Sequence, residues 1–156
     1  MRNDYLPDEA LRKRALELLG RRARSRQEII EKLAAKGADR AEAEAVADWL
    51  VEMRLLNDAD YAEQIVRYYG ERGYGRKRIE RELWWRGIEK DLWDTALEDL
   101  PERDDKMDDF IRQRLRGELP DRQEERRLVN ALVHRGFNRD EIGEGLRRYR
   151  ESLEEE

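Results

Sequence analysis

One segment of the chain, residues 67–78, combines the residue types that most readily bind other macromolecules. Its twelve positions hold three glycines, three tyrosines and five basic residues. Arginine beside exposed tyrosine is typical of interface hot spots and of surfaces that bind phosphates and stack on bases. Gly73 and Gly75 are interpreted as residues of a turn between two helices, with Tyr69 facing the core. The candidate partner contacts in and just after this segment are Tyr68, Arg72, Tyr74, Arg76, Lys77, Arg78 and Arg81.

Two adjacent tryptophans, Trp84 and Trp85, follow in the same predicted helix. Neighbouring residues on a helix point in different directions, so the two rings do not share one core face. One ring is therefore expected to be buried and the other at least partly exposed. Trp85 is added to the candidate partner contacts.

Residues able to catalyse a reaction are sparse. The chain has no cysteine and a single histidine, His134, near the end of a predicted helix, where the helix dipole favours it. Ser25 fits a helix cap, and no base stands at a spacing that would activate it as a nucleophile. The sequence therefore predicts no catalytic residue and a protein that is not an enzyme.

Metal and cofactor motifs are incomplete. Residues 57–60 resemble the start of a calcium loop but lack its glycine and its bidentate glutamate at the required offsets. Asp58 is therefore interpreted as a helix N-cap. There is no P-loop, and no strand precedes the glycines at 73 and 75 as a dinucleotide motif would require. We predict neither a metal site nor a cofactor.

Charge is abundant and unevenly distributed. Charged residues make up 46% of the chain and hydrophobic ones 38%, and the formal net charge is -5. Residues 12–26 carry a net charge of +6 and residues 67–86 carry +4, whereas residues 89–109 carry -7. This distribution argues against a general nucleic-acid binder and favours a partner of mixed charge, although a solvated surface would show it too. The first basic segment adds four candidate contacts: Arg21, Arg22, Arg24 and Arg26.

No apolar run is long enough to span a membrane. The residues after Met1 lack the apolar stretch of a secretory signal. We therefore expect a cytoplasmic protein that does not contact a membrane.

Helical spacing of apolar residues recurs throughout, and no stretch alternates as a strand would. Pairs of a capping residue and an acid three positions later mark helix starts. These pairs are Ser25 with Glu28, Asp39 with Glu42, and Asn138 with Glu141.

Three glycines expose an internal repeat. Gly37 and Gly87 are 50 residues apart, and Gly87 and Gly136 are 49 apart. Each follows a basic residue, and a leucine stands four positions before it. Such glycines end helices by adopting the left-handed conformation, and a nearly constant period indicates tandem units.

The repeat predicts an all-α fold of three tandem three-helix repeats that form an elongated, curved array of about nine helices. A stacked array needs less apolar core than a globule, which agrees with the composition. The expected boundaries are residues 1–56, 57–100 and 101–153, followed by an acidic tail at 154–156.

Several motifs resemble the RecX family of recombination regulators. The first repeat shares Arg24-Ser25-Arg26-Gln27-Glu28-Ile29 and Lys36-Gly37, and the link to the second shares Leu55-Leu56-Asn57-Asp58. The most characteristic stretch is Gly73-Tyr74-Gly75-Arg76-Lys77-Arg78-Ile79, followed by Arg86-Gly87-Ile88. A weaker match at Arg135-Gly136-Phe137 extends the resemblance over roughly residues 8–150.

The resemblance implies a function that the spacing does not show. RecX proteins bind the RecA filament on single-stranded DNA, lie in its helical groove, and restrain its ATPase, strand-exchange and co-protease activities. The implied partners are RecA and, through a weaker contact, DNA, and we expect a monomer because nothing in the sequence indicates an obligate dimer. The acidic stretch at 89–109 and the acidic tail weigh more against unaided DNA binding than against RecA binding. The alternatives are a stand-alone nucleic-acid-binding helical protein and a helical scaffold for another protein.

Overall fold

Helices make up the regular secondary structure of this protein. The computed structural model describes residues 6–98, 100 and 104–155, and these ranges contain nine α-helices, a short 3₁₀-helix and no strand. The prediction of an all-helical chain with about nine helices is confirmed. The elements are α1 (Glu9–Arg21), α2 (Arg26–Ala35), α3 (Arg40–Glu52), α4 (Asp58–Glu71), α5 (Arg76–Trp85), the 3₁₀-helix (Lys90–Leu92), α6 (Trp93–Leu97), α7 (Asp104–Leu115), α8 (Arg122–His134) and α9 (Arg139–Glu154).

Three helices, α2, α5 and α8, end in the same hydrogen-bonded turn. Gly37, Gly87 and Gly136 have φ values of 101°, 75° and 101°, the left-handed conformation that glycine adopts without steric cost. In each turn the N–H after the glycine bonds to the leucine carbonyl five positions earlier, which is the Schellman arrangement. The sequence period is therefore a repeated local structure. The bonds run from Ala38 to Leu33 (3.1 Å), from Ile88 to Leu83 (3.0 Å) and from Phe137 to Leu132 (3.1 Å).

Of the predicted caps, Ser25 with Glu28 forms the full reciprocal pair, and Asn138 with Glu141 forms only the bond to the capping side chain. Ser25 Oγ accepts from the N–H of Glu28 at 3.0 Å, and Glu28 Oε1 accepts from the N–H of Ser25 at 3.2 Å, completing a capping box. Asn138 Oδ1 accepts from the N–H of Glu141 at 2.8 Å. Each such cap stabilises its helix by about 1 kcal/mol.

Two other cap predictions are wrong. The side chain of Asp39 makes no capping hydrogen bond; this residue is exposed, so water can satisfy the first N–H groups of α3. Asp58 does not precede its helix but is the first residue of α4. The cap of α4 is Asn57, whose Oδ1 accepts from the N–H of Asp60 at 3.2 Å. The carboxylate of Asp58 instead accepts from the N–H of Arg26, at the start of α2.

The chain divides into two compact units. The first comprises the described residues up to Gln64 together with Leu83–Ala96, and the second comprises Ile65–Glu82 and the described residues from Leu97 onward. The boundaries fall within α4, α5 and α6, so each of these helices contributes to both units. The predicted division into three repeats stays a prediction. Its boundary after residue 100 and the last tail residue, Glu156, lie outside the described residues.

The core of the first unit is built by helices α1, α2 and α3, which pack against one another. Its apolar residues follow the spacing of one helical face, so folding removes them together from water. Burying a side chain such as Ile29 or Leu50 contributes about 1.5–3 kcal/mol before entropy is counted. The buried cluster consists of Ala15, Leu18, Ile29, Ile30, Leu33, Ala43, Val46, Ala47, Leu50 and Leu56.

The core of the second unit is built mainly by α7, α8 and α9, which also pack pairwise. The hydroxyl of Tyr149 is satisfied at the edge of this core, where it donates to the Glu118 carbonyl at 2.8 Å. Gly145 lets α9 approach α7 closely, because a Cβ there would lie 2.9 Å from the methyl of Met107. The buried cluster consists of Met107, Ile111, Leu115, Leu128, Leu132, Phe137, Ile142, Leu146 and Tyr149.

Candidate partner-binding surface

The turn between α4 and α5, residues 72–75, is held in place by the end of α8. The N–H of Gly75 donates to the carbonyl of Arg135 at 2.8 Å, and the N–H of Lys77 donates to the carbonyl of Gly136 at 3.3 Å. A Cβ built on Gly75 would lie 2.5 Å from the carbonyl carbon and oxygen of Gly136. Gly75 is thus required by a close approach of two backbones, in addition to the turn that the sequence predicts.

A cluster of rings and guanidinium groups packs beside this turn. The Tyr74 ring meets Tyr69 edge-on, with centroids 5.5 Å apart. The guanidinium groups of Arg78 and Arg135 lie 5.5 and 5.3 Å from the Tyr74 ring centroid, and Arg135 also lies 4.7 Å from that of Phe110. Such contacts contribute roughly 0.5–2 kcal/mol each. Tyr74 is half-buried, so it offers a partner only part of its ring.

A second ring–cation pair lies on the exposed surface of the second unit. Tyr68 is 50% exposed, and the guanidinium carbon of Arg72 lies 3.4 Å from its ring centroid. Arg72 Nη1 also donates to the Tyr68 carbonyl at 3.0 Å. The pair is therefore preorganised, and both groups can stack on a base or on a partner's aromatic ring.

The basic side chains of α5 differ in whether they form an ion pair within the protein. Arg76 pairs with the glutamate one turn later at 2.8 Å. Arg78 pairs at 3.1 Å with Glu82, which is buried. Lys77 and Arg81 stand one helical turn apart and are exposed. Arg78 therefore compensates a buried charge inside the protein, whereas Lys77 and Arg81 present their charge to solvent.

One candidate from the first basic segment is a structural residue. Arg24 is only 9% exposed, and its Nε donates to the carbonyl of Leu18 at 3.2 Å. Burial, reinforced by the charge of Arg22, lowers the pKa of the Arg24 guanidinium, although arginine stays protonated in proteins. Arg24 is therefore largely withdrawn from the surface by its contact with Leu18, and its contact with a partner stays a prediction.

The other three candidate arginines of that segment reach the surface. Arg21 is exposed at the last residue of α1. Arg22 pairs with Glu28 at 3.1 Å, and half-buried Arg26 pairs with Asp48 at 2.9 Å. Partly exposed ion pairs contribute about 0–1 kcal/mol, so a partner with a better-placed anion can compete for these arginines.

Ser25 links the start of α2 to the end of α5. Besides capping α2, its fully buried Oγ donates to the carbonyl of Arg86. Beside this contact, a Cβ on Gly87 would lie 2.6 Å from the Cβ of Gln27. Arg86 itself donates from Nη1 to the hydroxyl of Tyr61 at 2.8 Å. Ser25 and Gly87 therefore join two helices as well as capping them.

Two positioning arginines, Arg86 and Arg135, are absent from the sequence-based candidates. Arg86 bonds to Tyr61, and Arg135 lies over the rings of Tyr74 and Phe110. Both stand directly before a glycine of the repeat. This recurring Arg–Gly pair is the sequence signal that marks them.

Asp58 acts on the N-terminus of α2. Its Oδ1 accepts from the N–H of Arg26 at 2.9 Å, where the helix dipole favours negative charge. Burial raises the pKa of the Asp58 carboxyl, and the hydrogen bond and charge of Arg26 partly oppose that rise. The carboxyl therefore carries an electrostatic cost when it is ionised in the folded state.

Both tryptophans near the end of α5 are exposed, Trp84 by 67% and Trp85 by 58%. The prediction that one of them is buried is wrong. The inward positions of α5 are Ile79 and Leu83, and the helix ends before the next inward position is reached. Large exposed rings of this kind are enriched at interface hot spots.

Two other features bear on the kind of site. Within the described ranges, no three His, Asp or Glu side chains are grouped so that they could hold a metal ion. Over the same residues, none of the helices is long and apolar enough to cross a membrane. His134 is exposed at the last residue of α8.

Comparisons with known proteins agree on one family. The domain profiles described as RecX, first and second three-helix domains, match residues 12–50 and 57–97. The Regulatory protein RecX of Pseudomonas syringae pv. tomato is 37% identical over 136 residues, which cover 86% of this chain and 88% of that protein. The Pseudomonas fluorescens protein of the same name is 36% identical over 135 residues, covering 85% and 87%. The crystal structure of RecX from Lactobacillus salivarius shares the fold, with a TM-score of 0.78, 22% identity, and 90% and 94% coverage.

Three-helix domains that follow one another along the chain define a class of protein, the helical-repeat proteins. The chain belongs to the RecX family of regulatory proteins. The resemblance carried by its sequence motifs is thereby confirmed.

Proposed function

We propose that this protein binds the RecA filament on single-stranded DNA and lowers the ATPase, strand-exchange and co-protease activities of RecA. The observation that carries the proposal is family membership, with 37% identity to a regulatory RecX protein across 86% of the chain. The protein acts by binding and not by catalysis, and it needs no cofactor. It works as a cytoplasmic monomer that tempers recombination and the SOS response.

Exposed groups on each unit support a binding role. The second unit presents the stacked pair of Tyr68 and Arg72, together with Lys77 and Arg81. These groups suit phosphates, carboxylates and rings. Complementary charge of this kind gives orientation and a fast on-rate more than raw affinity.

The first unit presents an apolar anchor, the exposed rings of Trp84 and Trp85. Tryptophan is among the residues that dominate binding energy when a partner desolvates it. Adjacent large apolar rings at the surface are typical of interaction sites.

The second candidate function, a stand-alone nucleic-acid-binding protein, is supported by the same rings and cations, since bases stack on aromatic side chains. It differs in one measurable respect: binding to DNA would then suffice without RecA. A helical scaffold for an unrelated protein is the third candidate, and it predicts no effect on RecA.

The deciding experiment is RecA ATPase activity on single-stranded DNA, measured with and without this protein. Inhibition at stoichiometric amounts is expected. Trp84→Ala with Trp85→Ala is expected to raise the inhibitory concentration by about tenfold or more, the loss of a hot spot. Leu119→Ala is the matched control, because Leu119 is also highly exposed, at 68%. An unmodified protein that leaves the ATPase unchanged would overturn the proposal.

A further inference from the structure

Three arginines converge on a groove formed by α8 and the start of α9. The groove has a volume of about 510 Å³ and lies wholly within the second unit. Arg122 and Arg126 stand one helical turn apart on α8, and Arg139 begins α9. The lining residues are Arg122, Glu125, Arg126, Val129, Asn130 and Arg139.

The charge of this groove is not neutralised from within. In the described part of the chain none of the three guanidinium groups takes part in an ion pair. Glu125, the carboxylate in the lining, is paired with Arg150 at 2.7 Å. The nearby carboxylate of Asp121 is occupied in capping α8, where it accepts from a backbone N–H at 2.8 Å. The groove therefore keeps a net positive charge.

The groove arginines differ from three other arginines on the surface of the chain in their ion pairing. Arg40, Arg112 and Arg147 are each paired with an acid three or four positions away on their own helix. The arginines of the groove have no such intrahelical partner, although the chain is rich in acids. Three guanidinium groups brought together this way repel one another, and a bound polyanion relieves that repulsion.

The lining also indicates the chemistry of the ligand. Guanidinium groups bind phosphates and carboxylates through paired hydrogen bonds. In the described lining Val129 alone is apolar, and no aromatic ring is present to stack on a base. An acidic peptide would bring apolar side chains for which this groove offers little cover. A nucleic-acid backbone is polar along its whole length and carries a negative charge at every step.

We propose that the groove of Arg122, Arg126 and Arg139 binds the phosphodiester backbone of single-stranded nucleic acid without base preference. The choice of a single strand rests on the proposed function, in which the protein works on a filament around single-stranded DNA. None of its arginines belongs to either basic segment of the sequence, and the packing of α8 on α9 brings them together.

The test uses the intact protein without RecA and a fluorescently labelled oligothymidylate, followed by fluorescence anisotropy over a range of salt concentrations. The groove variant is Arg122→Ala with Arg126→Ala and Arg139→Ala. The matched control, Arg40→Ala with Arg112→Ala and Arg147→Ala, loses the same charge elsewhere. The groove variant is expected to bind about tenfold more weakly or worse. Its slope of log affinity against log salt should fall by about 2, since each phosphate contact on a single strand contributes about 0.7. The control should change far less.

Three results would overturn the proposal. One is the absence of measurable binding by the unmodified protein, and another is an equal loss in the groove and control variants. The third is displacement of the oligonucleotide by oligoglutamate at lower concentration than by unlabelled oligothymidylate, which would assign the groove to an acidic peptide. Circular dichroism confirms that both triple variants are folded.

Failure of this proposal and failure of the proposed function are distinguishable. RecA ATPase inhibition is measured for the same three proteins. If the oligonucleotide binds through the groove but the unmodified protein does not inhibit RecA, the groove proposal is supported and the proposed filament role is overturned. If the unmodified protein inhibits RecA but the groove and control variants bind the oligonucleotide equally well, only the groove proposal is overturned.

Discussion

The amide nitrogen of Gly75 lies 2.8 Å from the carbonyl oxygen of Arg135, so α5 begins on the final turn of α8. A contact of the same kind occurs at the start of α2, where the hydroxyl of Ser25 donates to the carbonyl of Arg86 at the end of α5. In both cases the positive end of one helix dipole meets the negative end of another. The repeated glycine turns are therefore contact points as well as helix ends.

Gly75→Ala is expected to lower the free energy of unfolding by about 1–3 kcal/mol, the usual cost of overpacking. Its Cβ would overlap the backbone of Gly136, which no side-chain rotation relieves. Gly143→Ala in α9 is the control, because a Cβ there meets nothing within 4 Å and should add about 0.5–1 kcal/mol. Urea unfolding followed by circular dichroism measures both. Unchanged stability of Gly75→Ala would show that the two backbones separate easily.

Gly37 and Gly87 share a positive φ but differ in their surroundings. A Cβ at Gly87 would lie 2.6 Å from Gln27, whereas a Cβ at Gly37 meets open space. Gly37→Ala is expected to cost about 1–2 kcal/mol from the backbone alone, and Gly87→Ala is expected to cost more. Gly87→Val should be the most harmful, since a β-branched residue resists the left-handed conformation. Thermal unfolding ranks the three, and equal losses for the two alanine variants would contradict a rigid contact with Gln27.

Asp58 is expected to make stability depend on pH. Burial raises its pKa in the folded protein above the ordinary value of 3.8, so the folded state holds the proton more tightly than the unfolded chain. The favourable contribution of Asp58 to the free energy of unfolding is therefore complete below about pH 3.8. It is lost as the pH rises through the raised pKa of the folded protein. Asp58→Asn keeps an oxygen acceptor for the N–H of Arg26 and should remove this dependence.

Urea midpoints measured between about pH 3 and pH 7 for the unmodified protein and Asp58→Asn test that expectation. Asp58→Ala serves as the control: it loses the acceptor and should be less stable than Asp58→Asn by about 1 kcal/mol at every pH, because neither residue titrates. Parallel profiles for the aspartate and asparagine proteins would mean that the pKa is not raised.

Charge reversals on α5 should separate binding from folding. Lys77→Glu with Arg81→Glu is expected to weaken RecA inhibition by about tenfold or more while helicity is unchanged, because both side chains are exposed. Arg78→Glu should instead destabilise the protein, since it would place a second carboxylate beside buried Glu82. ATPase assays paired with circular dichroism distinguish the two effects. Full inhibition by the Lys77 and Arg81 variant would show that the partner binds elsewhere.

Several candidate residues from the sequence received different roles in the structure for reasons that reach beyond their neighbours. Arg24 has the composition of a binding residue, yet its guanidinium is buried against the carbonyl of Leu18. The Tyr74 ring is half-buried and lies beside the guanidinium groups of Arg78 and Arg135, and Arg135 is distant in sequence. Residue type alone does not distinguish these cases, because the packing that buries them involves other helices.

The amino-acid sequence by itself determined the helices, the glycine turns at 37, 87 and 136, and the capping box of Ser25. Each of these depends on hydrogen bonds within about five residues, so the local pattern is sufficient. Only the tertiary structure decided that Asp58 accepts from the N–H of Arg26, that Gly75 admits no Cβ, and that Arg122, Arg126 and Arg139 share a groove. These relationships join residues from different helices, and the free energy of packing whole helices together selects them.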